Sequence, residues 1–196
     1  KKSKTPKKSG KREIIYPFIR TERTDLTDER VDELFGTKVL EKEDIGEFLF
    51  TLGDKRYFFE NNQFNRLFDE PIAYKYAQDV LNRHWRFNGE AIIFSEYGNS
   101  LSGQKRGAAV KIANYLWNHP VHGKHWKKLW PDGPPFMETM ITYGVSEDPD
   151  VVGSIDNVQT RSWSDTIFAE KKLFSKVKNA KERDKLCTIL ESAVKV

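Results

Sequence analysis

One stretch near the middle of the chain places glycine and basic residues in the order typical of an anion-binding turn. Ser102, Gly103, Gln104, Lys105 and Arg106 follow a short apolar segment and precede a run rich in Ala, Val and Ile. A glycine at a strand-to-helix turn lets the backbone approach an anion, and the first amides of a helix point outward without intrahelical partners. All five residues are therefore candidate phosphate or nucleotide ligands, with Arg106 the main phosphate partner. A sharp corner with two solvated cations explains the pattern equally well.

A second polar group, Asn88-Gly89-Glu90, precedes the strand candidate Ile92-Ile93-Phe94. If that strand pairs with the one before Gly103, the Asn88 amide and the Glu90 carboxylate lie near the turn and are placed to orient a ligand or a water. Glu90 and Arg106 are then the candidate catalytic residues. The alternative is an ordinary Asn-Gly turn beside an exposed charge.

Three histidines, His119, His122 and His125, invite a metal-site hypothesis. Pro120 and Gly123 interrupt any helix beneath them, and no cysteine or carboxylate pair joins them, so we predict no metal site. Tryptophans and lysines share this stretch: Trp117, Trp126, Trp130, Lys124, Lys127 and Lys128. They suit stacking on single-stranded nucleic acid, although aromatic residues that anchor a long loop are the interpretation we favour.

Charge is distributed unevenly along the 196 residues. The formal net charge is +4, with 33 basic and 29 acidic residues, and 38% of the residues are hydrophobic, which is typical of one globular domain with appendages. Seven cations and no acid lie in residues 1–12: Lys1, Lys2, Lys4, Lys7, Lys8, Lys11 and Arg12. Subtracting these seven from the 33 basic residues leaves 26 against 29 acidic ones, so the remainder is slightly acidic.

The lysine-rich tail lacks apolar periodicity, and we expect it to be disordered in isolation. It suits contact with a nucleic-acid backbone or a nuclear-type address, and a solubilising linker is the plain alternative. The single cysteine, Cys187, fits a reducing compartment. No apolar run approaches the length of a membrane span, so we expect an intracellular protein without membrane contact, in the cytoplasm of a host cell and associated with the nucleoid if it binds DNA.

The remaining patterns predict an α+β chain with a small mixed sheet and packed helices. Helices are expected over 27–36, Lys42–Thr51, from Asp69-Glu70-Pro71, over Gln104–Trp117, from Glu147-Asp148-Pro149-Asp150, over 163–169 and, as one helix or a pair, over 170–195. Strands are expected at Ile92–Phe94 and Glu138–Gly144, with a surface insertion at 119–135. The predicted organisation is a basic tail (1–12), a helical and strand extension (13–59), a domain (60–170) and a C-terminal helix (171–196).

The order of several short motifs resembles the ParB/sulfiredoxin-like superfamily, in particular its small phage and plasmid members. The motifs are Asn65-Arg66, Tyr76-Ala77-Gln78-Asp79, Trp85, Asn88-Gly89-Glu90, Ile92, Phe94, Gly98, Leu101, Gly103-Gln104-Lys105-Arg106, Ala108-Ala109 and a segment from Ile155-Asp156 to Asp165. The similarity covers residues 60–170. It implies a single compact α+β domain whose G-x-x-R turn handles phosphate at a helix N-terminus, for CTP binding, ATP-dependent phosphoryl transfer or nucleic-acid-associated roles.

Three positions depart from the patterns of these relatives. Gln104 stands where the partition CTPases have Glu and the sulfiredoxins have their reactive Cys, so sulfiredoxin chemistry is not expected. Ser102 and Lys105 replace the Asp and His of the phage pattern, which removes a carboxylate and an imidazole from the turn. These differences favour binding over turnover.

The sequence therefore predicts a ParB-like protein that binds DNA or a nucleotide phosphate through the Gly103–Arg106 turn. A nucleotide hydrolase or nuclease using Glu90 and Arg106, with Mg²⁺ and a nucleoside triphosphate, is one alternative. A protein-interaction or host-interaction domain without catalysis is another. A homodimer is compatible with each of them.

Overall fold

The computed structural model describes residues 12–40, 49–62, 65 and 68–155. The described part is a mixed α+β fold with two small sheets and five helices, as the sequence predicts for its class. Its elements are β1 (Arg20–Leu26), α1 (Asp28–Phe35), β2 (Thr37–Leu40), β3 (Phe50–Leu52), β4 (Lys55–Phe59), α2 (Glu70–Leu81), β5 (Ala91–Ser95), β6 (Ser100–Ser102), α3 (Gln104–Asn118), α4 (Gly123–Leu129), β7 (Met137–Val145) and α5 (Pro149–Ser154). The predicted helices over 163–169 and 170–195 lie outside the described residues.

The larger sheet has the strand order β1-β7-β5-β6. The outer pairs are antiparallel and β5 runs parallel to β7, so the sheet is mixed. Alternate residues of a strand face opposite sides, and Ile92 and Phe94 on one side enter the main core with α1, α2 and α3. Ile93 on the other side packs in a smaller cluster with α5. Because β1 belongs to this sheet, residues 20–26 contribute directly to the body that contains the candidate turn.

The second sheet, β2-β4-β3, corrects a prediction made from sequence. We expect a helix over Lys42–Thr51; residues 42–48 of it lie outside the described residues, and at its end β3 begins at Phe50 and pairs antiparallel with β4. A tight turn at Gly53, with φ of +63°, joins the two strands. Phe50 is fully buried and stacks on Tyr57 across the pair at 5.4 Å, so cross-strand aromatic packing prevails over the helical spacing of the apolar residues.

Helix α2 begins as the sequence predicts. Asp69 is its N-cap, and its carboxylate accepts a hydrogen bond from the Ile72 amide at 3.3 Å, with Pro71 in the first turn. Ala73, Ala77, Val80 and Leu81 form its buried face, and α2 packs extensively on α3. The small alanine side chains allow the two helix backbones to approach closely.

The stretch 119–135 is more ordered than the predicted surface insertion. It contains α4, which is followed by Trp130, a buried residue that donates its indole Nε1–H to the Leu81 carbonyl oxygen at 3.0 Å. Trp117 and Trp126 also pack against the core. The interpretation that these aromatic residues anchor the segment to the body is therefore consistent with their contacts.

A buried lysine joins α3 to α1. Lys111 Nζ lies 2.8 Å from Asp28 Oδ2 and 2.9 Å from Asp32 Oδ1, and its side chain is only 10% exposed. Burial raises the pKa of Asp28 above its ordinary value, even though Lys111 opposes that change. Desolvation also opposes the charge of Lys111, but its hydrogen bonds to the two carboxylates raise its pKa overall. The contact fixes the first turn of α1 against the middle of α3.

Tyr143, on β7, is a second buried polar group of the core. Its hydroxyl donates to Glu22 at 2.8 Å and accepts from Arg30 Nη2 at 3.0 Å. Burial, with the Glu22 hydrogen bond, raises the pKa of Tyr143 to about 12, so the phenol stays neutral at physiological pH. Among the residues that the structure describes, no helix is long and apolar enough to cross a membrane.

The Lys111 contact gives a prediction with a defined pH dependence. We expect Lys111→Met to lower the free energy of unfolding by about 1–3 kcal/mol at pH 7, because two partly exposed carboxylates lose their cation. The loss becomes smaller near pH 4, because Asp28, whose pKa is already raised, takes up a proton in the folded variant. Urea denaturation of both proteins at the two pH values measures this difference.

The stabilisation that the Lys111 contact provides is also expected to depend on pH in the alkaline range. The pKa of Lys111 lies above its ordinary value of 10.5 in the folded state, so its contribution is complete below that pH and is lost as the pH rises through the folded pKa. Lys75→Met, at an exposed position of α2, is the control and changes stability by less than about 0.5 kcal/mol. An equal loss for Lys111→Met at pH 4 and pH 7 would contradict the electrostatic origin.

Candidate phosphate-binding site

Gly103 forms the turn between β6 and α3 in the way that the sequence predicts. Its φ of +100° lies in the region that favours glycine, and a Cβ there would lie 2.7 Å from Ile92 Cγ1. The Gly103 carbonyl accepts the first bonds of the helix, from the amides of Arg106 at 2.9 Å and Gly107 at 3.1 Å. The Lys105 amide precedes these bonds in the first turn, where amides point out of the helix. The N-cap residue is Gly103, which has no side chain with which to cap this end of α3, and the first turn of the helix contains no acidic residue.

Arg106 points from the first turn of α3 toward the start of β5. Its Nη1 donates to the Glu90 carbonyl at 2.6 Å and its Nη2 donates to the Ala91 carbonyl at 3.2 Å. The side chain is 10% exposed, and Nη2 also lies 3.7 Å from the Glu90 carboxylate. The guanidinium therefore joins the helix to the neighbouring strand and places a buried positive charge below the turn.

Ser102 and Gln104, which flank Gly103, are both buried. Gln104 Oε1 accepts a hydrogen bond from Asn62 Nδ2 at 2.8 Å. Asn65 Nδ2 in turn donates to Asn62 Oδ1 at 2.6 Å and to the Ser100 carbonyl at 2.8 Å. This polar network supports the turn from below and fixes the side-chain amide of Gln104.

The other predicted ligands differ in how open they are to solvent. Lys105 is half-buried at the first turn of α3. Asn88 is exposed, and its Oδ1 accepts the Glu90 amide at 3.1 Å, which closes the turn before β5. Glu90 is near Arg106, but its side chain is 69% exposed. The structure thus brings Glu90 and residues 102–106 together, with Asn88 at the margin of the group.

This arrangement has the chemistry of an anion-binding turn. Backbone amides at a helix N-terminus, the half-buried Lys105 and the buried charge of Arg106 all favour negative charge. Glu90, the predicted catalytic candidate beside Arg106, is the one carboxylate among the predicted site residues, and its side chain is 69% exposed. Within the described ranges, no three His, Cys, Asp or Glu side chains form a group that could hold a metal ion.

Within the stretch 119–125, His119 stabilises the local turn. His119 Nδ1 accepts the amides of Val121 at 3.3 Å and His122 at 3.2 Å, and the rings of His119 and His122 lie 4.7 Å apart. One His119 nitrogen is therefore committed to the backbone that leads into α4.

Sequence reasoning missed a polar cluster at the β5–β6 hairpin. Glu147 Oε1 accepts hydrogen bonds from Ser95 Oγ at 2.8 Å and Asn99 Nδ2 at 2.6 Å, and its Oε2 pairs with Arg12 Nη1 at 2.6 Å. Arg12 also lies 4.2 Å above the Tyr97 ring. In the sequence Glu147 is one of several acids before α5, and no local pattern indicates a partner about 50 residues away.

The fit of Gly103 against Ile92 gives a second prediction. We expect Gly103→Ala to lower the free energy of unfolding by about 2–4 kcal/mol, because a strained φ combines with overlap against a β-branched side chain. For a chain of this length that is a decrease in Tm of roughly 4–16 °C. Differential scanning calorimetry measures both quantities.

Gly89→Ala is the matched control for this experiment. Gly89 has a φ of +79°, but the methyl group of an alanine there would meet no atom within 4 Å, so only the conformational cost of about 1–2 kcal/mol applies. Equal losses in the free energy of unfolding of the two variants would contradict this prediction. They would show that Ile92 moves to make room for the methyl group, so that the close approach of α3 to β5 adds nothing to the cost of the substitution.

Comparison of the chain with protein-family descriptions, curated proteins and solved structures finds no match. The resemblance to the ParB/sulfiredoxin-like superfamily therefore rests on the motifs of residues 60–170 alone. The fold of the described residues is a mixed α+β architecture.

Proposed function

We propose that this chain is a ParB-like binding protein of the phage or plasmid type, which holds a phosphate of DNA or of a nucleotide at the β6–α3 turn. The observation that carries the proposal is the start of α3, where the N-cap residue Gly103 adopts a positive φ and brings the first turn of the helix, with Lys105, to the end of β6. The absence of any acid in that first turn keeps the local potential positive.

Lys105 and Arg106 have different roles in this proposal. Lys105, half-buried at the rim of the turn, is the side chain that donates to the ligand phosphate. Arg106 is a positioning residue, because its two bonds to the Glu90 and Ala91 carbonyls hold α3 against β5. The positive charge of Arg106 still attracts the ligand phosphate through space, because the distance is short and the surroundings are partly buried.

The basic tail assists with nucleic acid. Its last residue, Arg12, contacts Glu147 and Tyr97 at the β5–β6 hairpin. From the hairpin, β6 covers only three residues before Gly103, a distance of about 10 Å. A phosphate backbone that reaches the turn therefore passes close to where the tail begins.

The hydrolase and nuclease alternatives have no specific observation in their favour. They need Glu90 as a metal ligand or a base, and its carboxylate is exposed and has Arg106 as its only neighbouring charge among the described contacts. Binding without turnover is the function that the site supports best.

The proposed binding at the turn predicts a ligand-dependent rise in Tm. A nucleoside triphosphate at about 100 times its Kd stabilises the folded state by about 2.7 kcal/mol, a Tm rise of roughly 5–11 °C. We expect Lys105→Gln to weaken that binding about tenfold, since one charge-assisted hydrogen bond is lost. A thermal-shift series over four nucleoside triphosphates, with and without Mg²⁺, measures the effect.

Lys75→Gln, which removes the same charge from α2, should leave the ligand-induced rise unchanged. The proposal for nucleotides fails if no triphosphate raises Tm, or if Lys105→Gln and Lys75→Gln respond alike. Binding of a short DNA duplex at low salt tests the nucleic-acid form of the same proposal.

The proposed role of the basic tail gives a separate prediction for DNA binding. Replacing Lys1, Lys2, Lys4, Lys7, Lys8 and Lys11 by Gln, with Arg12 kept, should weaken duplex binding. The slope of log K against log salt should fall by up to about five units, because each neutralised phosphate releases counterions. Fluorescence anisotropy over a salt series measures the slope, and an unchanged slope would rule out a role for the tail.

A further inference from the structure

A long central part of the sequence contains cations but no acid. Between Tyr97 and Pro131 there is no Asp or Glu, whereas the chain outside the tail has more acidic than basic residues. Arg106 and Lys111 in this stretch are buried and satisfied internally, as described above. Lys124, Lys127 and Lys128 are exposed on α4. Positive charge is therefore concentrated at α4 within a body that is otherwise slightly acidic.

The three lysines of α4 lie on one face of the helix. They are spaced at i, i+3 and i+4, so their side chains are neighbours that repel one another. The helix dipole explains a preference for Lys127 and Lys128 in the last turn, but it disfavours Lys124 at the N-terminal end. The first turn of α4 has no acid to compensate. Helix stability alone therefore does not account for this face.

Two arginines from the end of α2 extend the same surface. Arg83 has a φ of +56°, and its Nε donates to the Leu129 carbonyl at the end of α4 at 2.6 Å. Its guanidinium lies 4.4 Å above the Trp130 ring. Arg86 Nη1 donates to the Arg83 carbonyl at 2.9 Å, which holds it beside Arg83. We define the α4 basic surface by five residues: Arg83, Arg86, Lys124, Lys127 and Lys128.

The α4 basic surface is held in place by close packing. A Cβ at Gly123 would overlap the Trp117 carbonyl, so α4 begins in direct contact with the end of α3. Trp130 is buried at its other end. Lys127 Nζ lies 5.0 Å above the Trp117 ring and covers it. Trp117 and Trp130 thus support the cations, and neither of these two rings is open to a stacking base, because Lys127 lies over Trp117 and Trp130 is buried beneath Arg83.

None of these five cations has an ion pair within the part of the chain that the structure describes. We propose that the α4 basic surface binds the phosphodiester backbone of a DNA duplex without reading its sequence. This inference rests on the proposed nucleic-acid function and adds a contact surface separate from the β6–α3 turn. Cations that cover the neighbouring Trp117 and Trp130 rings suit a duplex backbone better than stacked single strands.

The test compares two full-length variants with the same net charge. The first replaces Lys124, Lys127 and Lys128 by Gln, and the second replaces Lys38, Lys55 and Lys75, which are exposed on β2, β4 and α2. The probe is a fluorescein-labelled DNA duplex of about 20 base pairs and mixed sequence, which is long enough to occupy the whole surface. Anisotropy titrations at several salt concentrations give the affinity and the salt slope.

For the α4 variant we expect a loss of affinity of at least about tenfold and a salt slope lower by about three units, one for each phosphate contact. The control variant should stay within about twofold of the wild type. Equal losses in both variants would overturn the proposal, because net charge alone would then explain binding. An unchanged α4 variant would overturn it as well, and so would a marked preference for single-stranded DNA of the same length.

The experiment distinguishes a failure of the α4 basic surface from a failure of the β6–α3 turn. Lys105→Gln affects the nucleotide-induced rise in Tm, which the α4 substitutions should leave unchanged. Loss of duplex binding in the α4 variant with a normal nucleotide response supports the α4 basic surface. A protein that binds no duplex even at low salt refutes both this surface and the nucleic-acid form of the proposed function. Thermal melts of each variant confirm that the lysine substitutions leave the fold intact.

Discussion

The centre of this fold depends on residue 103 being a glycine, which has no Cβ. Because no Cβ separates the turn from Ile92, the first turn of α3 lies directly against β5. That approach brings the Arg106 guanidinium within hydrogen-bonding distance of the carbonyls that begin the strand. The same helix then carries Lys111 to the carboxylates of α1. The backbone conformation of Gly103 thus determines how β5, α1, α3 and the candidate anion site are placed relative to one another.

The cations of this chain divide into those that hold the fold and those that face outward. Arg106 and Lys111 are buried, and their partners are carbonyls and carboxylates of the body. Lys105 and the α4 basic surface lie at or near solvent, and they are positioned by glycine and tryptophan contacts rather than by acids. Buried cations need compensation by partners, whereas exposed cations without an acidic partner remain available to a polyanion. This division explains why a modest net charge is compatible with a strongly basic surface.

Local signals in the sequence predict the centre of the fold well. The strand Ile92–Phe94, the turn at Gly103 and the caps of α1 and α2 all depend on residues close in sequence, and the structure confirms them. The β3 strand could not be predicted, because its stability comes from aromatic pairing with Tyr57 across a hairpin. The orientation of Arg106 was equally hidden, since its partners are backbone carbonyls, which no side-chain motif marks.

The contact of Arg12 with Glu147 has a consequence for the β5–β6 hairpin. The Glu147 carboxylate accepts hydrogen bonds from Ser95 and Asn99 and pairs with Arg12, so one acid joins the hairpin, the segment after β7 and the segment before β1. Its side chain is only 7% exposed, and loss of this carboxylate would remove the acceptor from all three partners at once. The position of residues that are 135 apart in the sequence therefore depends on a single charged group.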